Sequence, residues 1–135
     1  MIYAFDTNIV SYLMRGDKRV TTRWLDERRR GNKAIIPIIT YYEVKRGLLA
    51  VNATKKLKGF EELCAVLGVE DFDCDDANTA SRIYAELKSK GRMSEDSDIL
   101  IAAQVVSRGY TLVTNNIKHF ESINGLILEN WVDFD

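Results

Sequence analysis

Residues 98–116 read DILIAAQVVSRGYTLVTNN, and the fold class follows from this stretch. The run Ile99-Leu100-Ile101-Ala102-Ala103-Gln104-Val105-Val106 is apolar on nearly every side of a helix, which predicts a deep-lying helix over 98–108. Gly109 closes it, and Tyr110-Thr111-Leu112-Val113-Thr114 follows with the β-branched and aromatic content of a strand. A buried helix running straight into a short apolar strand is the repeating unit of a parallel sheet covered on both faces.

The same alternation extends in both directions. Residues 2–5 form a short apolar run ending at Asp6, and a helix-like stretch continues through Met14. Residues 18–30 predict a polar helix anchored by Val20, Trp24 and Leu25 and closed by Gly31; residues 34–39 predict a second strand. Helices are expected over 40–51 and 54–67, then a short strand over 69–73. Asp75 or Asp76 would cap the next helix, in which Ala77, Ala80, Tyr84 and Leu87 recur at helical spacing up to Gly91. A last short strand falls at 126–128. The expectation is one α/β domain over residues 1–135, with a central, mainly parallel sheet between two helical layers. Sheets of this kind hold their ligand sites outside the carboxyl ends of their strands. Here those ends carry Asp6 and Thr114-Asn115-Asn116.

Composition excludes several classes. With 46% hydrophobic and 29% charged residues among 135, the chain is neither disordered nor collagen-like. Two cysteines, Cys64 and Cys74, make no disulfide framework, and no Cys/His cluster suggests zinc. A cytoplasmic, reducing setting is expected. Asp6 interrupts the apolar N-terminus, which lacks a basic leader, so a signal peptide is not expected; no apolar run approaches the ~18 residues of a membrane span. The net charge of −1 hides an asymmetry of +8 over residues 1–60 against −9 over residues 61–135. A basic surface able to meet phosphates and an acidic region elsewhere would follow, although solvated helix faces segregated by sign explain it equally well.

Four acids sit at marked places: Asp6 after the first strand, Glu43 near a helix start, and Asp96 and Asp98 opening the buried helix. Each has a local explanation. Asp6 suits a helix N-cap, Thr40-x-x-Glu43 matches a capping box, and Asp96 and Asp98 complement a helix dipole. Taken together they would converge if their elements share one sheet. Converging carboxylates raise each other's pKa unless a cation neutralises them, and oxygen-only donors favour Mg²⁺ or Mn²⁺. A carboxylate-bound Mg²⁺ accepts phosphate oxygens, which suits phosphodiester hydrolysis.

The stretches Phe5-Asp6-Thr7-Asn8-Ile9, Thr40-Tyr41-Tyr42-Glu43-Val44, Asp96-Ser97-Asp98-Ile99-Leu100-Ile101-Ala102-Ala103 and Val113-Thr114-Asn115-Asn116, in this order, resemble a PIN domain. The tail His119-Phe120-Glu121-Ser122-Ile123-Asn124-Gly125-Leu126 with Glu129-Asn130-Trp131 is similar to the VapC-type toxins of toxin–antitoxin modules. The resemblance implies a three-layer α/β/α PIN-like fold and a Mg²⁺-dependent (or Mn²⁺-dependent) endoribonuclease silenced by a cognate VapB-type antitoxin. It matches Asp6, Glu43 and Asp98 to the core catalytic and metal-holding acids, Asp96 to an additional acid, and Thr114 to a hydroxyl closing the site. Asn116 departs from the Asp common in PIN nucleases, keeping an oxygen but no charge. The resemblance also implies an RNA substrate, with tRNA suggested by the Thr-Asn-Asn and C-terminal stretches. It further implies a homodimer and a heteromeric toxin–antitoxin assembly.

Arg28-Arg29-Arg30 would form an RNA-facing stripe or a solvated helix end, and Lys45 and Arg46 are better placed to hold phosphate near the acids. His119 reads as an incidental loop residue, Trp24, Trp131 and Tyr84 as core or interface, and Cys64 as a small core hydrophobe. The acidic pocket would also accept an antitoxin guanidinium through paired hydrogen bonds, with Ile9, Leu13 and Trp24 as candidates for its groove. Two other readings stand beside the nuclease: a catalytically inactive PIN-like RNA- or protein-binding module, and a phosphotransferase using an aspartyl phosphate. The latter usually wants a second acid two residues after the first, where this chain has Asn8.

Overall fold

The computed structural model describes residues 1–132. Its elements are β1 (Ile2–Phe5), α1 (Thr7–Met14), α2 (Lys18–Arg29), β2 (Lys33–Pro37), α3 (Ile38–Ala50), α4 (Thr54–Leu67) and β3 (Val69–Glu70). There follow α5 (Cys74–Ser89), α6 (Asp96–Arg108), β4 (Thr111–Val113), α7 (Ile117–Phe120) and β5 (Ile127–Glu129). The strands form one sheet in the order β3-β2-β1-β4-β5, and every pairing is parallel. Side-chain alternation along the strands builds the layers. Tyr3 and Phe5 of β1, Ala34 and Ile36 of β2 and Val113 of β4 pack on one side with α1, α2, α3 and α4. Ala4, Ile35 and Leu112 point to the other side, into the core built with α5, α6 and α7. This is the expected three-layer α/β/α arrangement.

Both cores have a clear physical origin. On the first side Phe5 meets Trp24 and Trp131 edge-on at 5.6 and 5.4 Å, and Tyr3 meets Trp131 at 5.1 Å. On the second, Ile101, Ala102 and Ala103 of α6 are fully buried, as its all-round apolar sequence requires. Gly109 ends α6 at φ +69°, a left-handed conformation that turns the chain into β4 at little steric cost. Among the described residues no helix is long and apolar enough to cross a membrane.

Several local expectations are corrected. The second strand ends at Pro37, earlier than 39, because α3 already starts at Ile38. The capping box is absent: α3 begins at Ile38, five residues before Glu43, Thr40 lies inside the helix with its buried hydroxyl unpartnered, and Pro37 supplies no side-chain cap. Asp73 caps α5, in a reciprocal box with Asp76, where Asp75 or Asp76 was expected. The buried face of α5 is Asp76, Thr79, Ala80, Ile83 and Leu87, while Tyr84 is exposed. In α2, Leu25 faces solvent and its place in the buried face is taken by Glu27, whose carboxylate receives Arg23 and Asn32. A buried charge satisfied by hydrogen bonds cannot be read from hydrophobic periodicity.

Asp76 carries a second such network. It accepts from Ser107 and from Arg108 at 2.7 Å, and Arg108 also reaches Glu70 at 2.6 Å, tying α5, α6 and β3 together.

Candidate active site

The order β2-β1-β4 makes the carboxyl end of β1 the point from which successive connections diverge to either side. The register pairs Phe5 with Val113, so the residues that follow them, Asp6 and Thr114, emerge side by side. Asp6 is the N-cap of α1 and is 5% exposed. Its Oδ1 accepts the Thr7 N–H at 2.8 Å; its Oδ2 accepts the Thr114 hydroxyl at 2.8 Å and the Asn8 amide at 3.1 Å. The capping role and the place at the site therefore coexist in one residue.

Glu43 reaches the same place from α3, where its Oε1 accepts the Thr7 hydroxyl at 2.9 Å. Asp98 arrives from the first turn of α6, its side chain 17% exposed and its Oδ2 3.4 Å from Nδ1 of His119. Electrostatics register the convergence. Burial pushes the Asp98 carboxyl up to about 6; the charge of Asp6 adds to this, His119 opposes it, and Glu95 and Glu43 add smaller repulsions. Asp6 is also raised, first by burial and then by Glu43, against the opposing hydrogen bonds of Thr114, Thr7 and Asn8.

These acids are hard oxygen donors, which suits Mg²⁺ or Mn²⁺. Among the described residues no group of three His, Cys, Asp or Glu side chains is drawn close enough to close around a metal ion. Mg²⁺ does not require such a cage: it commonly takes one or two carboxylates and keeps waters on its other positions. The donor chemistry fits the cation, with Asp6, Glu43 and Asp98 as the residues that would hold it.

The other expected residues separate into near and far. Thr114 is fully buried and accepts the Asn116 N–H at 3.0 Å while donating to Asp6. Asn116 is thus placed next to the cluster at the N-cap of α7, its side chain exposed. Asp96 is exposed and lines a separate shallow cleft with Ala80, Ser81, Tyr84, Ile99 and Leu100, since residues two apart on a helix face different ways. Arg46 leans toward Glu43 at 3.8 Å and stacks on Tyr42, whereas Lys45 is tied to Glu61 at 3.1 Å on the α4 side. Arg29 and Arg30 pair with Asp26 and Glu27 near the end of α2. Arg28 covers the Trp24 ring and lines a groove of about 1020 Å³ between α1, α2, α3 and α4. Leu13, Trp24, Val44 and Leu63 line that groove too, and Thr7 and Glu43 connect it to the acids; Ile9 is fully buried and does not reach it.

Three residues at the site were assigned no catalytic or binding role from the sequence. Thr7 and Asn8 bind two of the acids directly, and the signal for them was their place as polar residues in the first turn of an otherwise apolar helix. His119, read from the sequence as an incidental loop residue, sits on α7 against Asp98.

The PIN domain family profile matches residues 3–126. Ribonuclease VapC2 of Rickettsia felis is 33% identical, over 97% of this chain and 98% of that protein. The tRNA(fMet)-specific endonuclease VapC of Shigella flexneri is 31% identical, over 96% and 97%. Among solved structures, that of VapBC2 from Rickettsia felis bound to a DNA fragment from their promoter superposes with a TM-score of 0.88. It is 30% identical and covers 97% of this chain and 99% of that one. With its family profile, a full-length relative and a superposable fold all in agreement, the chain belongs to the PIN domain family and, within it, to the VapC ribonucleases.

Proposed function

We propose that the protein is a divalent-cation-dependent endoribonuclease, the toxin of a VapBC-type module, and that it hydrolyses RNA phosphodiester bonds at Asp6, Glu43 and Asp98. The observation that carries this reading is the arrival of three acids from three separate elements at the carboxyl end of β1, beside a buried Thr114. A structural domain gains nothing from placing repelling carboxylates together, which disfavours an inactive binding module. Bound among these acids, Mg²⁺ or Mn²⁺ would supply Lewis-acid neutralisation of charge on the phosphate. Asp6 is held rigid by Thr114, the Thr7 N–H and Asn8, and Glu43 by the Thr7 hydroxyl, so the acids are preorganised for their cation. Arg46, extending past Glu43, is the cation placed to meet an RNA phosphate; Asp96 takes no part.

The substrate class we favour is tRNA, since the Shigella flexneri relative is named for that activity. The partner is a VapB-type antitoxin, as in the VapBC complex that superposes on this chain. The groove that joins Leu13 and Trp24 to Glu43 suits an apolar antitoxin segment ending in a guanidinium. A homodimer within such an assembly belongs to the same proposal. The test is expression without antitoxin followed by mapping of new RNA ends. Cuts confined to one tRNA, and reproduced by purified protein with Mg²⁺ but not with EDTA, support the proposal; unchanged RNA in both settings contradicts it.

A further inference from the structure

We infer that Thr7 is a positioning residue for the reaction: its hydroxyl sets the orientation of the Glu43 carboxylate. The inference rests on the proposed role of Glu43. The Thr7 hydroxyl donates to Glu43 Oε1 at 2.9 Å across a separation of 36 residues, linking α1 to α3 beside Asp6. Glu43 has one other polar neighbour among the described contacts, Arg46 on its own helix at 3.8 Å, too long for a firm hydrogen bond. Thr7 therefore anchors Oε1, and Oε2, lying toward Arg46, makes no firm hydrogen bond of its own. A carboxylate on a helix otherwise samples several rotamers, and each ordered rotamer removes an entropic cost from cation binding.

The same first turn performs a matching task for Asp6. Asn8 donates to Asp6 Oδ2 at 3.1 Å, and its Oδ1 accepts the Asn115 N–H at 2.8 Å, fixing the loop after β4 to the acid. The Asp6-Thr7-Asn8 sequence thus supplies one acid and the groups that aim two. Neither Thr7 nor Asn8 needs to touch RNA for this. Partners that orient metal-holding side chains typically contribute about 10- to 100-fold in affinity or activity.

The test compares Thr7→Val, which keeps the shape and removes the donor, with Thr7→Ser, which restores the donor. Each is measured by Mn²⁺ calorimetry and by kcat and KM on a short single-stranded RNA, with thermal melting as the folding check. The expected result for Thr7→Val is a loss of about tenfold or more in Mn²⁺ affinity and in kcat, with KM nearly unchanged. Thr7→Ser should recover most of both. Combined with Glu43→Gln, Thr7→Val should change Mn²⁺ affinity no further, since the two act through one carboxylate. Should Thr7→Val fail to fold, Thr7→Ala removes the same hydroxyl without added bulk and carries the same expectation. Wild-type Mn²⁺ binding and kcat in Thr7→Val overturn the inference, as does a Thr7→Ser variant no better than Thr7→Val, or a full additive loss beside Glu43→Gln. If Glu43→Gln alone binds Mn²⁺ and cleaves RNA like wild type, it is the reading of Glu43 that fails.

Discussion

Asp98→Asn should make the cation-free protein more stable at neutral pH. In the folded chain the Asp98 carboxyl is pushed from its ordinary 3.8 to about 6 by burial and by the charge of Asp6. A raised carboxylate pKa means that the folded state binds its proton more tightly than the unfolded state does. Stability is therefore lost as pH rises from about 4 through about 6, and the full penalty is present at pH 7.5. At about 1.4 kcal/mol per pH unit the shift sets an upper bound of about 3 kcal/mol. Solvent access to the side chain reduces this to roughly 1–2 kcal/mol. Asn is nearly isosteric and uncharged, so it should recover that amount. In a domain of this size the gain corresponds to a melting temperature higher by about 4–8 °C. The assay is thermal and urea unfolding of wild type and variant in EDTA at pH 7.5 and at pH 4. The difference should shrink markedly at pH 4, where the folded wild-type carboxyl is protonated, and excess Mn²⁺ should stabilise wild type more than the variant. A variant less stable than wild type at pH 7.5, or a gain that is the same at both pH values, would refute the argument that burial and the charge of Asp6 penalise the Asp98 carboxylate.

Arg108→Leu should cost about 2–3 kcal/mol while leaving RNA cleavage near wild type, because it strips the 2.7 Å partner from buried Asp76 far along α6 from the acids. Burial alone would raise Asp76, but hydrogen bonds from Ser107, Asp73 and Arg108 hold it below its ordinary value. Its contribution is accordingly present above about pH 4 and is lost as pH falls through the depressed value, so wild type and Arg108→Leu should converge in stability in strong acid; parallel curves from pH 7 to pH 2 would speak against the network. Asn116→Asp should add a charged oxygen next to Thr114 and tighten Mn²⁺ binding in calorimetry. Unchanged stoichiometry and affinity would place position 116 outside the metal sphere.

The sequence was most informative where one residue's neighbours along the chain determine its surroundings. The all-round apolar run of α6, the strand after it and the glycine between them led directly to a parallel three-layer fold. The positions of Asp6 and Thr114 at strand ends followed from the same alternation, since parallel register puts strand ends side by side. What escaped were pairings between distant residues. Glu27 and Asp76 are acids that helical spacing assigns to solvent, yet Arg23, Asn32, Ser107 and Arg108 make their burial affordable. The motif Thr40-x-x-Glu43 mimicked a capping box because local spacing cannot tell where a helix begins after proline, and Glu43 turned to Thr7. Asp96 and Asp98 both read as first-turn acids of the buried helix, Asp98 as a core acid and Asp96 as an additional one, but a two-residue step on a helix separates them by more than half a turn.

The central claim is that Asp6, Glu43 and Asp98 cleave RNA with a divalent cation, and Asp6→Asn tests it most directly. The substitution removes one charge from the cluster, and its amide can still receive the Thr7 N–H on its oxygen. Cleavage of a labelled single-stranded RNA should be measured for wild type and Asp6→Asn at equal Mg²⁺, and for wild type in EDTA, with both proteins shown to be folded by circular dichroism. The account predicts cutting by wild type only when Mg²⁺ is present, and a loss of roughly a hundredfold or more in Asp6→Asn. Equal rates for a folded Asp6→Asn and wild type, or undiminished wild-type cleavage in EDTA, would contradict it.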